Sequence, residues 1–473
     1  MRFCFAFDRF DDNRTGANPP AWSTSLLLLL FVVALVGIRT ARARQNGTPY
    51  SSRNIEFVSH HPLGGTLAVT GETTGGFEAL GRRTGDLTIE QDENRPFVYV
   101  ARRFNPSGFT ALDLSTPSEP DILYEWNFAS NHDGVGATDI THFKANDRYY
   151  VVLGVQFTKD DPDSELAAIV FDVTEIASGK VKESARIRRV GGYHHLFAYR
   201  HSNNITLLFG AGGGTLDGFD VQSLLSGNTT PVFEIEIPEE IPNVDYGFHD
   251  MQAAYHVESE VDRLYTSGAG GYYVYDISDP INPSLIATVS SAAIQIGHGI
   301  SPIPDGSLIV TTAGYRASPL RIFDIQPAFG ESPVQIRTAL GAWVANWKNQ
   351  TENMAVRWPF VFAASMEDGF QVINMRNPLE PYTAGYYLTW AGKSSAVSDA
   401  ATERTGAWDI DVRNSDGLIV VTDSNTGLWA FRMDGFQGWD GRGWGYPNIS
   451  TVQNWENGPV HSSTWPAGED FQP

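Results

Sequence analysis

Three histidines, His194, His249 and His298, open three short β-rich segments that are otherwise built alike: GYHHLF, FHDMQ and GHGIS. Some fifty residues separate one from the next, so only tertiary structure can gather them. Three imidazoles around one point form a ligand set for zinc, iron or copper, with Asp250 and Glu352 as weaker oxygen ligands or as partners for the imidazoles. One transition-metal ion is the cofactor such a set implies. The chemistry would be metal-dependent, of the oxygenase or lyase type.

Further polar residues stand at or near the same kind of position. TDITH supplies Asp139 and His142, WDIDV supplies Trp408 and Asp409, and GYHHLFAYRH supplies His195, Tyr199 and Arg200. These are expected at the mouth of the same site, as binding residues. A Tyr and His pair beside an Arg, here drawn from Tyr193, Tyr199 and Arg200, is a set able to remove a proton next to a carboxylate. His60 and His61 precede the first repeat and are expected in a loop or near that mouth. A plainer account competes with all of this: a His or Asp recurring at one repeat position can simply hydrogen-bond the backbone of the neighbouring unit. The residues leave both accounts open.

What must position these side chains is an internal repeat. Its clearest copy is YYVYDISDPINP from Tyr272, a strand closed by Asp and a Pro-containing turn. GFTALDLSTPSEP from Gly108 and GFQVINMRNPLEP from Gly369 repeat it closely. AAIVFDVTE (Ala167), GFDVQSL (Gly218), LRIFDIQPAFGESP (Leu320) and GLWAFRMDG (Gly427) are weaker copies. Each follows a second strand ending in small residues, such as ITLLFGAGG, RLYTSGAGG, SLIVTTAG or LIVVTD. The His- and Asp-bearing segments come before that second strand, as the first strand of each unit.

The pattern resembles the LVIVD repeat of bacterial and archaeal surface β-propellers, over about residues 85–432. The resemblance implies an all-β, seven-bladed β-propeller whose first strands line a central channel, with a His-Asp pair often standing there. A propeller is a scaffold for unrelated functions, so the resemblance specifies the fold better than the activity. The last copy, ending near Phe431, lacks an outer strand, and NIEFV at Asn54 is expected to supply it and close the ring. The domain plan is a leader (1–44), a connector with that strand (45–84), the propeller (85–433) and a tail (434–473). Trp439, Trp444, Trp455 and Trp465 in the tail are expected to pack on the last blade or on a ring face.

Composition narrows the function further. The net charge is −22, while residues 1–44 are basic, so the folded body is strongly acidic. Such a body repels phosphate backbones, and no nucleic-acid partner is expected. Cys4 is the single cysteine, which excludes an intrachain disulfide, a thiolate zinc site and thiol catalysis in the body. The run Leu26–Ile38, LLLLLFVVALVGI, is too short for a comfortable bilayer span and fits a signal-peptide core, with Ala41 and Ala43 as an A-x-A site. Export is therefore expected, to the cell surface, the periplasm or the medium. Arg39, Arg42 and Arg44 after the run argue the other way, for a short membrane-anchoring transmembrane helix, and contact with a membrane is expected through this segment alone. Neither a G-x-S-x-G elbow nor a phosphate-cradling loop ahead of a helix occurs. The reading is an exported monomeric ring that binds a protein or a glycan; the alternative is a metal-dependent enzyme at the axis.

Overall fold

Each copy of the repeat is a strand whose last side chain shapes the turn after it. In the computed structural model, Gly108–Asp113, Leu166–Asp172, Gly271–Asp276, Leu320–Asp324 and Phe370–Asn374 all end on Asp or Asn. That side chain accepts the backbone N–H two residues on: Asp113 from Ser115 (2.7 Å), Asp172 from Thr174 (3.1 Å), Asp276 from Ser278 (2.8 Å), Asp324 from Gln326 (2.9 Å) and Asn374 from Arg376 (3.0 Å). The carboxylate or amide oxygen takes a donor that a sheet ladder would need, so the strand stops there. Asp220, closing Thr215–Asp220, instead accepts from Ser223 (2.7 Å) and caps the short helix Val221–Leu225.

The described residues are 52–63, 84–103, 106–212, 214–238, 247–291, 293–330, 333–389, 406–433 and 452–459. The hydrophobic run 26–38, most of the Gly-rich connector, and Trp439, Trp444 and Trp465 lie outside them. Among the described residues no helix is long and apolar enough to cross a membrane.

The strands form seven sheets, each an antiparallel blade, arranged as a seven-bladed β-propeller, with Val334–Ile336 added in parallel to the edge of blade 4. The inner strands of blades 1 to 7 are Thr84–Ile89, Gly134–Ala145, His195–Arg200, Phe248–His256, Gly297–Pro302, Met354–Arg357 and Ala407–Arg413. Second strands such as Thr206–Gly212 are buried at every residue, because a blade is covered on both faces by its neighbours. Outer strands such as Asp121–Asn127 and Phe233–Glu236 include exposed residues. The core is accordingly a series of layers between blades. Phe97, Tyr99 and Phe109 of blade 1 meet Val151, Leu153 and Phe171 of blade 2 in one such layer.

The ring closes with the strand expected from the connector. Ile55–His61 is the outer strand of blade 7, antiparallel to Gly427–Met433, with Ile55 opposite Met433 and His61 opposite Leu428. Just before it, Ser52 and Arg53 pair with Tyr387 and Tyr386 at the edge of blade 6. The seam between blades 7 and 1 is as apolar as the others, with Leu418, Val420 and Leu428 packed on Leu87, Val98 and Leu112.

Candidate functional site

Six of the seven inner strands share a defect near their start. In blades 1, 2, 4, 5 and 7 the register slips between Thr84 and Leu87, Ala137 and Asp139, Phe248 and Met251, Gly297 and Ile300, and Ala407 and Asp409. In blade 6, Glu352 N–H donates to the Ala364 carbonyl (2.8 Å) while Ala364 N–H donates to that of Asn353 (2.9 Å), again two residues against one. A bulge re-aims successive side chains, so neighbours in sequence leave the strand in different directions.

Hydroxyls on the second strands hold these bulges. Asp250 N–H donates to Ser267 Oγ (3.2 Å), Gly299 N–H to Thr312 Oγ1 (2.9 Å) and Asp409 N–H to Thr422 Oγ1 (3.2 Å). The same hydroxyls donate onward to the next blade: Ser267 to the His298 carbonyl, Thr312 to that of Glu352 (2.9 Å) and Thr422 to that of Gly85 (2.9 Å). Each hydroxyl thus accepts within its own blade and donates across the seam. The small residues ending SGAGG, TTAG and VVTD carried this signal, and sequence reasoning assigned it no role.

Two sets of side chains result. The first contains His194, His249 and His298, which the structure brings together. The His194 and His249 ring centroids are 4.4 Å apart and those of His249 and His298 are 4.0 Å apart, as three imidazoles packed in a row at tilted angles of 54° and 41°. His194 Nδ1–H donates to Gln156 Oε1 (2.8 Å), and His298 Nε2 lies 3.3 Å from Glu352 Oε1, itself fully buried. Burial, reinforced by the Arg103 guanidinium, lowers His194 to about 3 and keeps it neutral. Arg103 reaches in past Gly85, where a Cβ would lie 3.0 Å from Arg103 Cγ and 2.9 Å from the Thr138 carbonyl. Its guanidinium sits over the Trp408 ring at 4.3 Å.

The second set lies one residue further along each strand, immediately before Leu87, Ile140, Leu196, Met251, Ile300, Met354 and Ile410. It consists of Asp86, Asp139, His195, Asp250, Gly299, Asn353 and Asp409. His195 is its centre: Nε2 is 2.6 Å from Asp250 Oδ1, and Nδ1 is 3.3 Å from Asp139 Oδ2 and 3.7 Å from Asp86 Oδ2. Burial works against an imidazolium here, but the Asp139 and Asp250 charges outweigh it and raise His195 well above its ordinary value. Burial also raises Asp139 to about 7, with His195 opposing and Asp86 adding, and burial and then Asp86 raise Asp409 well above the carboxylate range.

Two of these carboxylates also act as the plainer account expected. Asp139 Oδ2 accepts the Leu196 N–H of the next blade (2.5 Å), and Asp409 Oδ2 accepts that of Leu87 (2.7 Å). Asp86 differs, because its Oδ1 accepts from Trp408 Nε1 (2.6 Å) and Asn353 Nδ2 (3.1 Å). A cavity of about 70 Å³ opens beside them, lined by Asp139, His195, Asp250, Asn353, Asp409 and Asp411, with Thr88, Thr141 and Gln252 and several apolar residues. That is room for a few waters or the charged end of one side chain. Asp86 and Arg103 were absent from the expected site, though the Asp-Leu pair of TGDLTI matches the Asp-Ile and Asp-Met pairs of the other inner strands.

The remaining expected residues lie elsewhere. His142 bonds Thr88 Oγ1 through Nδ1 (2.7 Å) and meets the Trp455 ring edge-on. Tyr199 donates to Asp262 Oδ1 (2.5 Å), and Tyr193 donates to Asp217. Arg200 bonds the Asn204 carbonyl and Thr206 Oγ1, and its N–H donates to Gln453 Oε1 (2.9 Å). Five residues of strand put Arg200 about 17 Å beyond His195, toward the other end of the channel. His60 and His61 are in the ring-closing strand, with His60 stacked on Trp429 at 4.1 Å. Trp455 packs against the layer between blades 2 and 3.

No protein-family model and no curated protein sequence matches the chain. Among solved structures it is similar to the computationally designed Ika8 protein, at 10% identity and a TM-score of 0.43, over 80% of this chain and 100% of that one. A likeness at that level carries no argument about function.

Proposed function

We propose that this chain is a binding module, that its ligand-facing site is the acidic cavity on the propeller axis, and that the site takes a cationic group presented by a protein. The observation that carries this reading is the convergence of Asp86, Asp139 and Asp250 on one imidazole and of Asp139, Asp250 and Asp409 on one cavity. Buried like charges raise one another's proton affinity unless a counter-charge joins them, and His195 is the one basic side chain that lines the cavity. A lysine ammonium or a chain-terminal amine fits both the space and the sign. The strongly acidic body supplies long-range attraction for such a basic partner.

The repeat strands support placing the protein among LVIVD-type propellers, and the 26–38 run supports a role outside the cytoplasm. A glycan partner lacks the charge that the cavity asks for. The oxygenase or lyase reading needs the nitrogens of His194, His249 and His298 to meet at a point, whereas their rings pack at tilted angles of 54° and 41° and their nitrogens form no group of three within 4.8 Å of one another.

The test is a titration of the purified chain with a short lysine peptide, its N-acetyl-lysine counterpart and a neutral oligosaccharide. The charged peptide should bind at least tenfold more tightly than the acetylated one, more weakly as salt rises, and at least tenfold more weakly to Asp250→Asn. Equal affinity for both peptides, or binding of the oligosaccharide alone, would sink the reading.

A further inference from the structure

We infer that the cluster beside the cavity is a divalent-metal site, with Asp86 Oδ2, Asp139 Oδ2 and His195 Nδ1 as ligands and Asp250 as the group that orients the imidazole. This rests on the reading of the cavity as a cation site and names a resident occupant for the cluster at its side. The stacked histidines are not involved.

The first support is convergence. Asp86, Asp139 and His195 each offer one ligand atom, and these atoms all lie within 4.8 Å of one another; no other such group of three occurs among the described residues. The second is spacing. A charge-assisted N–H···O bond is about 2.7–2.9 Å long, whereas Nδ1 stands 3.3 Å from Asp139 and 3.7 Å from Asp86. Bonds of about 2.0–2.2 Å at tetrahedral or right angles place neighbouring ligand atoms about 3.0–3.5 Å apart, so the Asp139 separation suits two atoms sharing a metal and the Asp86 separation is slightly wider.

The third support is independent of the cluster itself and lies on the far side of the ring. His195 Nε2 is 2.6 Å from Asp250 Oδ1. A metal-bound imidazole commonly donates its other N–H to a carboxylate, which fixes the tautomer and leaves a lone pair on the nitrogen facing the metal. The two aspartates are held in the same manner. Trp408 and Asn353 occupy Asp86 Oδ1 and leave Oδ2 to the cluster. The Ile140 and Leu196 N–H groups hold the Asp139 carboxylate at 2.6 Å and 2.5 Å. Five protein groups thus hold three ligands, and the adjoining cavity has room for water at the remaining positions. Two carboxylate oxygens and one imidazole suit manganese, iron(II) or zinc, and the absence of thiolate disfavours the softest ions.

The experiment uses the full chain, stripped with a chelator and titrated with MnCl2 and then ZnCl2, followed by water-proton relaxation for manganese and equilibrium dialysis for zinc. One equivalent should bind. Asp86→Asn keeps the acceptor for Trp408 and Asn353 but loses the ligand charge, and should weaken binding at least tenfold. Asp250→Asn should weaken it by about tenfold, and His194→Ala should leave it unchanged. Circular dichroism checks that each variant folds, and Asp250→Asn decides the matter if Asp86→Asn does not. Absence of saturable binding of either ion, binding indifferent to both Asp variants, or binding lost in His194→Ala but kept in Asp86→Asn would overturn the inference. Lysine-peptide binding without metal binding would leave the proposed function standing and remove this site; metal binding without peptide binding would do the reverse.

Discussion

His194 and His195 are neighbours in the chain and opposites in the fold. His194 packs at a tilt against His249, gives Nδ1–H to Gln156 and is kept neutral, while His195 faces Asp86, Asp139 and Asp250 beside a cavity. The same side chain serves as packing in one place and sits among carboxylates in the other. What separates the two is the company each keeps: a ring face and an amide oxygen for the first, three carboxylates for the second. A repeat position rich in histidine is therefore no guide to chemistry until the neighbouring blade is known.

The carboxylates that His195 faces are placed by the bulges of neighbouring blades, and the hydroxyl support of those bulges is the place to break the comparison. Thr422→Val keeps the shape but strands the Asp409 N–H and the Gly85 carbonyl, both of which the hydroxyl serves. Two orphaned buried groups should cost on the order of 2–5 kcal/mol in urea denaturation, and a loss under about 1 kcal/mol would mean that the hydroxyl does not hold the seam. Next in size is His249→Ala, which removes the middle ring of the stack. It should cost about 2–4 kcal/mol of stability and leave lysine-peptide and metal binding intact, whereas loss of binding at full stability would merge the two sets into one site.

Acid sharpens the contrast through His142, a second buried histidine on an inner strand. Burial, with Arg95 adding, lowers it to about 4. Because this folded-state value lies below that of the unfolded chain, its neutral-state stability is complete above about pH 6.5 and is lost as pH falls toward 4. His142→Gln should remove about 2–3 kcal/mol of the stability change over that range, and an unchanged pH profile would show that His142 does not resist protonation. The smallest effect is expected at the turns: Asp276→Asn keeps the acceptor for Ser278 and should shift stability by less than about 0.5 kcal/mol. A larger loss would show that the repeat needs the charge as well as the oxygen.

The repeat was legible because its chemistry is local. An Asp that bonds the N–H two residues on, then a Pro-containing turn, marks a strand end wherever it occurs, and the third strands fall where the copies were read. The placing of His194, His249 and His298 at one position was legible for the same reason, since their strands align on their second strands. Whether their nitrogens or their ring faces meet depends on bulge geometry and on Gln156 and Glu352, contributed by blades 2 and 6. Asp86 went unseen because a Gly-rich connector precedes it, so only the pair Asp86-Leu87 reveals its register. Tyr199 and Arg200 misled by nearness in sequence, because an extended strand carries them toward the far end of the channel within a few residues. Trp455 crosses to blades 2 and 3, a contact that no local pattern encodes.

The closing strand adds a consequence in time. Ile55–His61 is made early and its partner Gly427–Met433 late, so at about 5–20 residues per second the first strand waits tens of seconds for the hydrogen bonds that end its exposure. Throughout that wait, six blades can form in sequence while the seventh cannot. Two chains in synthesis side by side would each present an unpaired early strand and, later, a vacant edge that accepts it, so the seam that completes one ring is also where two rings would trade strands.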